Sequence, residues 1–488
     1  MRFLEQAGEF LAGQVTFPIV NATLNRRGIL RTYWQLVRSE RYPEEAIRNL
    51  QLERLRDVIR YAVTWCPYYR EKYRAAGIEP ESIRAIEDVE SIPILTREEV
   101  IEHHKEMVDS RYQPAIEAAE QAGRDPGVPI PLAAFRKHRI VRNTSTGSTG
   151  TPTLFYEDGT TSALNWAHEL RVKRWFGLGP GAKEARVARV SADYVASSRA
   201  VMLRQRLWRQ LVLPGMNLSD ADYQLCIRKA EGFQPRILFG ITSALAGLAD
   251  YIERSRSAPS FHPDLIVTWA APLYDHERAL LERVFGCPVT NIYGSREVGH
   301  VAAMCPEGSM HINQEYYYVE VEEAQEPRLN SAAGDLLITT LGRRPMPFIR
   351  YHIGDIGEIG TVGCACGRSL QVLSNLVGRT GDVVTTRDGR MIAPNFWCRA
   401  FMGNAISHAV SRFQIVYQRV GSIRIRIEPR PDYSQDAEAS LMSYIDRNLS
   451  GEYKIELEYV SKIDPQPSGK YQLIVNEWAS AANGGTAN

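Results

Sequence analysis

Between residues 140 and 374 the sequence alternates between helical segments and short apolar runs, and no other feature constrains the fold as strongly. The helical segments are 161–176, 243–254 and 276–285. The strand-like runs are 185–191, 235–239, 265–269, 287–293, 316–322 and 335–341. Helices interleaved with strands are typical of layered α/β domains. The sequence therefore predicts a large α/β domain.

A second pattern begins after Gly378. Residues 422–428 alternate strictly between polar and apolar, 435–449 are amphipathic, and 454–460 read as another strand. Strict alternation is typical of a half-buried strand, so this part predicts a small α+β domain. The predicted divisions are an N-terminal extension at 1–45, a large domain at 46–377, a hinge at 378–382, a small mobile domain at 383–480 and a disordered tail at 481–488.

Charge and composition exclude several classes of protein. The 488 residues carry 58 Lys and Arg against 57 Asp and Glu, which argues against nucleic-acid binding through bulk positive charge. No apolar run is long enough for a membrane span. Residues 10–24 are interrupted by Gln14 and Asn21 and are not read as a signal peptide, although their contact with a membrane surface stays open. Seven cysteines are too few for a disulfide framework, so we expect a cytoplasmic protein with reduced thiols.

A loop rich in glycine and hydroxyl groups follows residue 142. Residues 143–153 read NTSTGSTGTPT, with seven hydroxyl side chains and two glycines. Such a loop can surround a polyphosphate with backbone N–H groups and hydroxyls, although a flexible linker has a similar composition. It lacks the spacing of the Walker loop. The candidate phosphate-binding residues are Ser145, Thr146, Gly147, Ser148, Thr149, Gly150 and Thr151.

Six short motifs follow this loop in a fixed order. They are Trp269-Ala-Ala-Pro-Leu273, Tyr293-Gly-Ser-Arg-Glu297, Gly334-Asp335, Arg350-Tyr-His-Ile-Gly-Asp355, Gly378-Arg-Thr-Gly-Asp382 and Pro467-Ser-Gly-Lys470. In this order the chain resembles the adenylate-forming ligase superfamily of acyl-CoA synthetases, luciferases and peptide-synthetase adenylation domains. Residues 67–71 (PYYRE), 92–97 (IPILTR), 272–274 (PLY) and 285–289 (FGCPV) resemble its phenylacetate-CoA ligase-like branch, which includes relatives from capsular polysaccharide biosynthesis. The resemblance covers residues 46–475.

The resemblance implies a nucleotide site. The reaction would join a carboxylate to the α-phosphate of ATP, giving an acyl adenylate and pyrophosphate, and it depends on charge neutralisation and positioning. Glu297 would hold Mg²⁺, Asp355 would accept hydrogen bonds from the ribose, and Arg379 would approach ribose and phosphate. Tyr293 would stack on adenine, with Ala270, Ala271 and Pro272 bordering it. Gly294 and Ser295 are further candidate nucleotide-binding residues.

The resemblance also implies that the small domain moves. Lys470 would reach the α-phosphate from that domain in one conformation only. The hinge would be Gly381 and Asp382. Many relatives carry a charged residue where this chain has Gly381, and glycine tolerates large dihedral changes.

The sequence leaves the acyl acceptor open. Residues 385–394 (TTRDGRMIAP) do not match the glycine-rich stretch that helps phenylacetate-CoA ligases admit the pantetheine arm. Transfer to CoA is therefore one reading and transfer to an amine, giving an amide, is the other. The third possibility is a catalytically degenerate nucleotide-binding scaffold. The joint presence of Lys470, Glu297 and Asp355 argues against it.

The acyl pocket and the assembly are the least determined features. The architecture implies a pocket lined by Phe239, Gly240, Trp269 and His300. Its two aromatic residues favour an apolar or aromatic acid, and both also suit a core. His168 is read as structural. A homodimer is an expectation from the family.

Three cysteines and one histidine predict a separate metal site. Cys305 and His311 are separated by five residues, and Cys364 and Cys366 by one. Three sulfurs and one nitrogen form a closed structural zinc set, whereas the alternative is small loop thiols and a histidine on a strand. Some relatives in the branch carry a similar set. The remaining cysteines are read as ordinary thiols: Cys66, Cys226, Cys287 and Cys398.

Overall fold

The structure is a computed structural model of the chain. It describes residues 28–114, 116–117, 140–144, 153–188, 208–215, 218–322, 333–360, 363–379, 384–385, 391–392, 394–402, 406, 409–449, 453–464 and 472–477, together with residues 11, 13 and 15. The glycine-rich loop at 145–152, the hinge residues Gly381 and Asp382, Lys470 and the tail lie outside this range, as does most of segment 10–24.

A sheet of eleven strands forms the centre of the large α/β part, in the order β10-β11-β12-β13-β9-β8-β7-β6-β5-β3-β4. Its strands are β3 (Glu184–Ala188), β4 (Gln210–Pro214), β5 (Ile237–Ile241), β6 (Leu265–Trp269), β7 (Val289–Ser295), β8 (Gly299–Met304), β9 (Met310–Ile312), β10 (Tyr317–Glu322), β11 (Gly334–Thr340), β12 (Tyr351–Gly360) and β13 (Val372–Arg379). Strands β4, β3, β5, β6 and β7 are parallel, and the others pair antiparallel. A separate hairpin is formed by β1 (Ile140–Thr144) and β2 (Leu154–Asp158).

Helices cover both faces of the parallel strands, as the alternating sequence predicts. The described α-helices of this part are α1 (Ile29–Ser39), α2 (Glu44–Trp65), α3 (Pro67–Ala76), α4 (Arg97–His103), α5 (Gly159–Trp175), α6 (Asp220–Phe233), α7 (Thr242–Arg254) and α8 (Asp275–Phe285). One apolar cluster joins α6, α7 and α8 to one face of the sheet, and a second joins α5 to the other. Strand β5 lies between the two clusters, and its successive side chains point to opposite faces of the sheet. Both faces are covered, so every residue of β5 is buried.

The C-terminal part has its own sheet and core. Four strands occur in the order β18-β17-β16-β19, and a cluster of buried apolar residues packs between them and two helices. These elements are β16 (Val410–Arg419), β17 (Ser422–Pro429), β18 (Lys454–Tyr459), β19 (Ile474–Asn476), α9 (Pro394–Met402) and α10 (Gln435–Leu449), and a short hairpin of β14 (Val384–Thr385) and β15 (Met391–Ile392) precedes them. The α/β architecture with a small second sheet is therefore confirmed, and the domain boundaries stay predictions.

Several element boundaries differ from those expected, among them the starts of two strands. The strands predicted to begin at residues 235 and 287 begin at Ile237 and Val289. In the second case helix α8 ends at Gly286, whose φ of 67° is the left-handed conformation that terminates helices. The chain must reverse direction before it can enter the sheet, and this delays the start of the strand.

Helix α1 belongs to the core of the large part, although it lies in the predicted N-terminal extension. Ile29, Tyr33 and Leu36 pack against α5. At its C-terminal end, Ser39 Oγ donates a 2.6 Å hydrogen bond to Glu315, whose carboxylate also pairs at 2.6 Å with the fully buried Arg171. This ion pair shields two opposite charges from water and joins α1, α5 and the segment before β10.

No helix among the described residues is long and apolar enough to cross a membrane.

Candidate active site and metal cluster

The predicted ribose and adenine residues meet where β7, β12 and β13 come together. Tyr293 of β7 donates a 2.8 Å hydrogen bond from its hydroxyl to Asp355 Oδ2 of β12. Asp355 lies directly opposite Arg379 of β13 in the strand register. Arg379 Nε is 3.5 Å from Asp355 Oδ1, and the Arg379 side chain remains 43% exposed. A tyrosine, a carboxylate and an accessible guanidinium therefore lie side by side, although their motifs are far apart in sequence.

Burial and neighbouring charge control the chemistry of Tyr293. Burial raises the pKa of its hydroxyl well above the usual value, and the negative charge and hydrogen bond of Asp355 raise it further. The phenol therefore stays neutral and acts as a hydrogen-bond donor that orients Asp355. The carboxylate retains acceptor capacity for other hydroxyl groups.

The glycine of the Tyr-Gly-Ser-Arg-Glu motif is required by close backbone packing. A Cβ on Gly294 would lie 1.9 Å from the carbonyl oxygen of Gly299. The register between β7 and β8 shifts at this point, and such an irregularity often redirects a side chain beside an active site. The turn that follows carries Glu297, which is partly exposed. A carboxylate in this setting suits Mg²⁺, which prefers oxygen ligands and retains several waters.

A strained turn connects β6 to the predicted adenine border. Ala270 has a φ of 67°, a left-handed conformation that costs a non-glycine residue about 1–2 kcal/mol. The Ala271 carbonyl oxygen accepts hydrogen bonds from Thr242 Oγ1 at 3.2 Å and from Asn291 Nδ2 at 3.4 Å. These two buried side chains hold the turn at the carboxyl ends of the parallel strands, where open α/β sheets bind ligands.

Tyr351, which sequence analysis did not single out, lies among the candidate nucleotide residues. Burial raises the pKa of its hydroxyl, and the charge of Glu297 raises it further; Arg97 and Arg379 oppose that shift, and Asp355 adds to it. Tyr351 and the predicted ribose ligand Asp355 lie on the same strand, β12.

Phe239, Trp269 and His300 lie on or beside the face of the sheet that packs on α5, whereas a Cβ on Gly240 would meet Leu245 of α7 on the opposite face. The rings of Phe239 and Trp269 have centroids 6.3 Å apart. His300 is held against α5, since its Nδ1 lies 3.2 Å from the Asn165 carbonyl oxygen, and burial lowers the pKa of its imidazole. Phe239 is only 1% exposed, so its ring forms part of the core in this conformation. His168 is also buried, as expected of a structural residue.

A buried charged cluster beneath this region was missed by sequence analysis. The Arg186 guanidinium lies 3.9 Å from the centroid of Phe239, and it pairs with Glu184 at 2.8 Å and with Glu169. Lys173 completes the cluster through Glu184. Its members come from α5 and β3, and no local spacing in the sequence joins them.

The four predicted metal ligands converge on one point. Their donor atoms all lie within 4.8 Å of one another. Cys305 Sγ is 3.6 Å from Cys364 Sγ, and Cys366 Sγ is 3.2 Å from His311 Nε2. His311 Nδ1 lies 3.0 Å from the Leu370 carbonyl oxygen, which fixes the tautomer and leaves Nε2 available as a ligand.

These distances fit tetrahedral zinc. A Zn–S bond of about 2.3 Å places two sulfur ligands about 3.8 Å apart in a tetrahedron. Burial disfavours ionisation of Cys364, yet hydrogen bonds from Ser309 and from the Cys366 N–H lower the pKa of its thiol. A lower thiol pKa favours the thiolate form that binds metal. The remaining cysteines lie outside this cluster and are buried: Cys66, Cys226, Cys287 and Cys398.

Comparison with solved structures identifies the fold. The chain superposes on 2-hydroxyisobutyryl-CoA ligase in its postadenylation state, with an acyl adenylate bound, at a TM-score of 0.69 and 20% identity, covering 91% of this chain and 93% of the ligase. The same ligase in its thioesterification state gives a TM-score of 0.55, with 91% and 93% coverage and 21% identity. The fold is that of the adenylate-forming ligases.

Sequence comparisons show which proteins the chain is similar to. Residues 384–477 match the family model of the CapK C-terminal domain. The chain is 26% identical to a phenylacetate-coenzyme A ligase of Thermus thermophilus, over 79% of this chain and 81% of that protein. It is 23% identical to Protein CapK of Staphylococcus aureus, over 70% and 75%. The chain is therefore similar over most of its length to the phenylacetate-CoA ligases and to CapK.

Proposed function

We propose that the protein is an ATP-dependent ligase that activates a carboxylic acid as its acyl adenylate, releases pyrophosphate, and transfers the acyl group to CoA. The observation that carries the proposal is the contact of Tyr293 with Asp355 and of Asp355 with Arg379, at the place where the family motifs predict ribose. The cytoplasm would supply ATP, Mg²⁺ and CoA to this reaction.

Each polar group of the site has a defined task in this proposal. Asp355 would accept hydrogen bonds from the ribose hydroxyls while the Tyr293 hydroxyl holds its second oxygen in place. Arg379 would bring positive charge to the phosphate side. Glu297 would hold Mg²⁺, which offsets phosphate charge when bound. Lys470, from the C-terminal part, would approach the α-phosphate during adenylation only, and Gly381 and Asp382 would provide the hinge.

The relatives favour CoA as the acceptor. The relatives matched over most of their length include phenylacetate-CoA ligases, and the solved 2-hydroxyisobutyryl-CoA ligase has been captured with acyl adenylate and CoA. Transfer to an amine remains the second candidate, because residues 385–394 depart from the stretch expected beside the pantetheine arm.

The identity of the acceptor is tested by running the same reaction under three conditions. Pyrophosphate release from ATP, Mg²⁺ and a panel of aromatic, aliphatic and sugar acids is measured with no acceptor, with CoA, and with hydroxylamine as a surrogate amine. We expect CoA to accelerate AMP release and to yield a thioester. Release that hydroxylamine captures but CoA does not change would contradict CoA transfer while retaining adenylation.

We further propose that Cys305, His311, Cys364 and Cys366 bind a structural Zn²⁺. The fit of their donor atoms to a tetrahedral set supports this. Four protein ligands leave no open position, so the metal would stabilise the large part rather than take part in the reaction.

Cys364→Ser is expected to release the metal and to lower the free energy of unfolding by about 2–3 kcal/mol, because a lost metal is among the changes with large effects on stability. Metal content by elemental analysis and the melting temperature test this. Cys287→Ser, a buried thiol outside the cluster, is the control and should retain the metal. A wild-type protein that is metal-free and as stable as the zinc-loaded form would contradict the proposal.

A further inference from the structure

A carboxylate on helix α7 takes part in two ion pairs, and one of them leads to the C-terminal part. Arg430 Nη2 donates a 2.9 Å hydrogen bond to Asp250 Oδ1. Asp250 Oδ2 accepts a 2.9 Å hydrogen bond from Arg254 Nε, one turn later on the same helix. Asp250 therefore uses one oxygen within the large part and the other to contact the C-terminal part.

Arg430 is fixed to the sheet of the C-terminal part. It directly follows β17, and its N–H donates a 2.8 Å hydrogen bond to the Ala409 carbonyl oxygen. Pro429, the last residue of β17, lies opposite Val410 of β16 in the strand register. Because the backbone of Arg430 is held at the end of two paired strands, its guanidinium moves only with the C-terminal part.

The start of helix α8 makes a second contact between the two parts. Tyr274, the residue before α8, packs against the apolar core of the C-terminal part. Its N–H donates a 3.1 Å hydrogen bond to Glu277 Oε2, which fixes Tyr274 to the first turn of α8. Helices α7 and α8 share one apolar cluster in the large part. The ion pair and the aromatic contact therefore come from neighbouring helices of one layer.

The Asp250–Arg430 pair can open at little cost. The two side chains are 29% and 32% exposed, so water replaces the lost contact, and a pair of this kind contributes little to stability. By contrast, Arg171 and Glu315 within the large part are 0% and 2% exposed, and opening that pair would leave buried charges without partners. The pair between the two parts is therefore suited to repeated opening.

We propose that the Asp250–Arg430 ion pair is a latch, which holds the C-terminal part against α7 in one of the two arrangements that the reaction uses and opens for the other. The inference rests on the proposed function, in which Lys470 of the C-terminal part approaches the α-phosphate during adenylation only. Asp250 and Arg430 are positioning residues, since neither belongs to the candidate nucleotide or acyl residues. Opening the latch therefore favours one half-reaction at the expense of the other.

The two half-reactions are measured separately in variants of the pair. Exchange of labelled pyrophosphate into ATP reports adenylation, and single-turnover thioester formation from enzyme-bound acyl adenylate and CoA reports transfer. We expect Asp250→Asn and Arg430→Gln to change these two rates in opposite directions, each by about two- to fivefold, the size expected for a partly exposed ion pair. The exchanged pair, Asp250→Arg with Arg430→Asp, should return both rates towards wild type.

The matched control is Glu253→Gln, also on α7. Glu253 Oε1 lies 2.9 Å from Arg283 Nε of α8, so this variant removes an ion pair of the same length that lies wholly within the large part. The ratio of the two rates should stay that of wild type.

A latch that is held closed should have a larger effect. Asp250→Cys with Arg430→Cys, joined by a thiol-specific crosslinker that reductant cleaves, should perform one half-reaction and lose the other. Reductant should restore the lost rate. Wild type treated with the same crosslinker is the control for the native cysteines.

Two kinds of result overturn the inference, and they are distinguishable. If the single variants change both rates equally or not at all, or if the cross-linked protein performs both half-reactions or neither, the pair is an ordinary surface contact and the proposed function stands. If wild type shows neither exchange nor thioester formation with the acid panel, the proposed function itself fails and the inference fails with it.

Discussion

Lys470→Ala lowers the rate of pyrophosphate formation by on the order of 10²–10³, the size of effect seen when one group that stabilises transition-state charge is removed. Lys470 lies in the Pro467-Ser-Gly-Lys470 motif of the C-terminal part, and we propose that its ammonium approaches the α-phosphate only while the acyl adenylate forms. Because the ammonium acts in the transition state, ATP affinity should remain within about threefold of wild type. Pyrophosphate release at saturating ATP and the dissociation constant for ATP are the two measurements.

The matched control is Lys462→Ala. Lys462 lies in the same part of the chain, with its side chain 67% exposed and 2.7 Å from Asp464, and its removal should leave the rate unchanged. Unchanged pyrophosphate formation in Lys470→Ala would contradict the assigned role. If Lys470→Ala lost ATP binding to the same extent, Lys470 would instead contribute to the binding of ATP in the ground state.

Asp355→Asn weakens both ATP and AMP binding by about 10- to 100-fold, because hydrogen bonds to a charged group contribute about 1.5–3 kcal/mol. The substitution keeps the size of the side chain but removes the negative charge that would face the ribose hydroxyls and Arg379. Both nucleotides should be affected equally, since both carry the ribose.

The ribose assignment is tested by combining the variant with an altered nucleotide. Wild type should bind 2′-deoxy-ATP or 3′-deoxy-ATP more weakly than ATP, and Asp355→Asn should show little such discrimination. Tyr293→Phe is the control for the Tyr293–Asp355 hydrogen bond, since it retains the ring and should change affinity by about threefold or less. Full discrimination between ATP and both deoxynucleotides in Asp355→Asn would contradict the ribose contact.

The fold could be predicted from local patterns because both parts of the chain obey them. The run 265–269 forms β6 with the expected bounds, and 435–449 forms α10. Boundaries at β5 and β7 shifted by two residues because sheet pairing and a left-handed helix end determine where a strand begins. Such constraints depend on neighbours in space and leave only a weak signal in sequence.

Sequence analysis found the residues of the candidate site that belong to recognisable short motifs. Tyr293 and Asp355 were named from separate motifs, and the structure brings their side chains into contact. Cys305 and Cys364 converge in the same way because β8, β9 and the segment before β13 are adjacent. Their proposed roles as ligands stay predictions.

Other residues of the site could not be found from sequence. Tyr351 becomes relevant only when the segment before α4 lies along β12. In the sequence, Arg186 is a single charged residue within a strand. Its contacts with Phe239 and Glu169 are visible only in the structure. Tertiary packing, rather than any spacing along the chain, determines these neighbours.

The central claim is that this protein adenylates a carboxylic acid, and acid-dependent exchange of labelled pyrophosphate into ATP tests it most directly. The assay needs ATP, Mg²⁺ and an acid but no acceptor, so it isolates the first half-reaction. We predict exchange with at least one acid of the aromatic, aliphatic and sugar-acid panel, and its loss in Lys470→Ala. Binding of ATP without exchange for any acid in the panel would contradict adenylation and favour a nucleotide-binding scaffold.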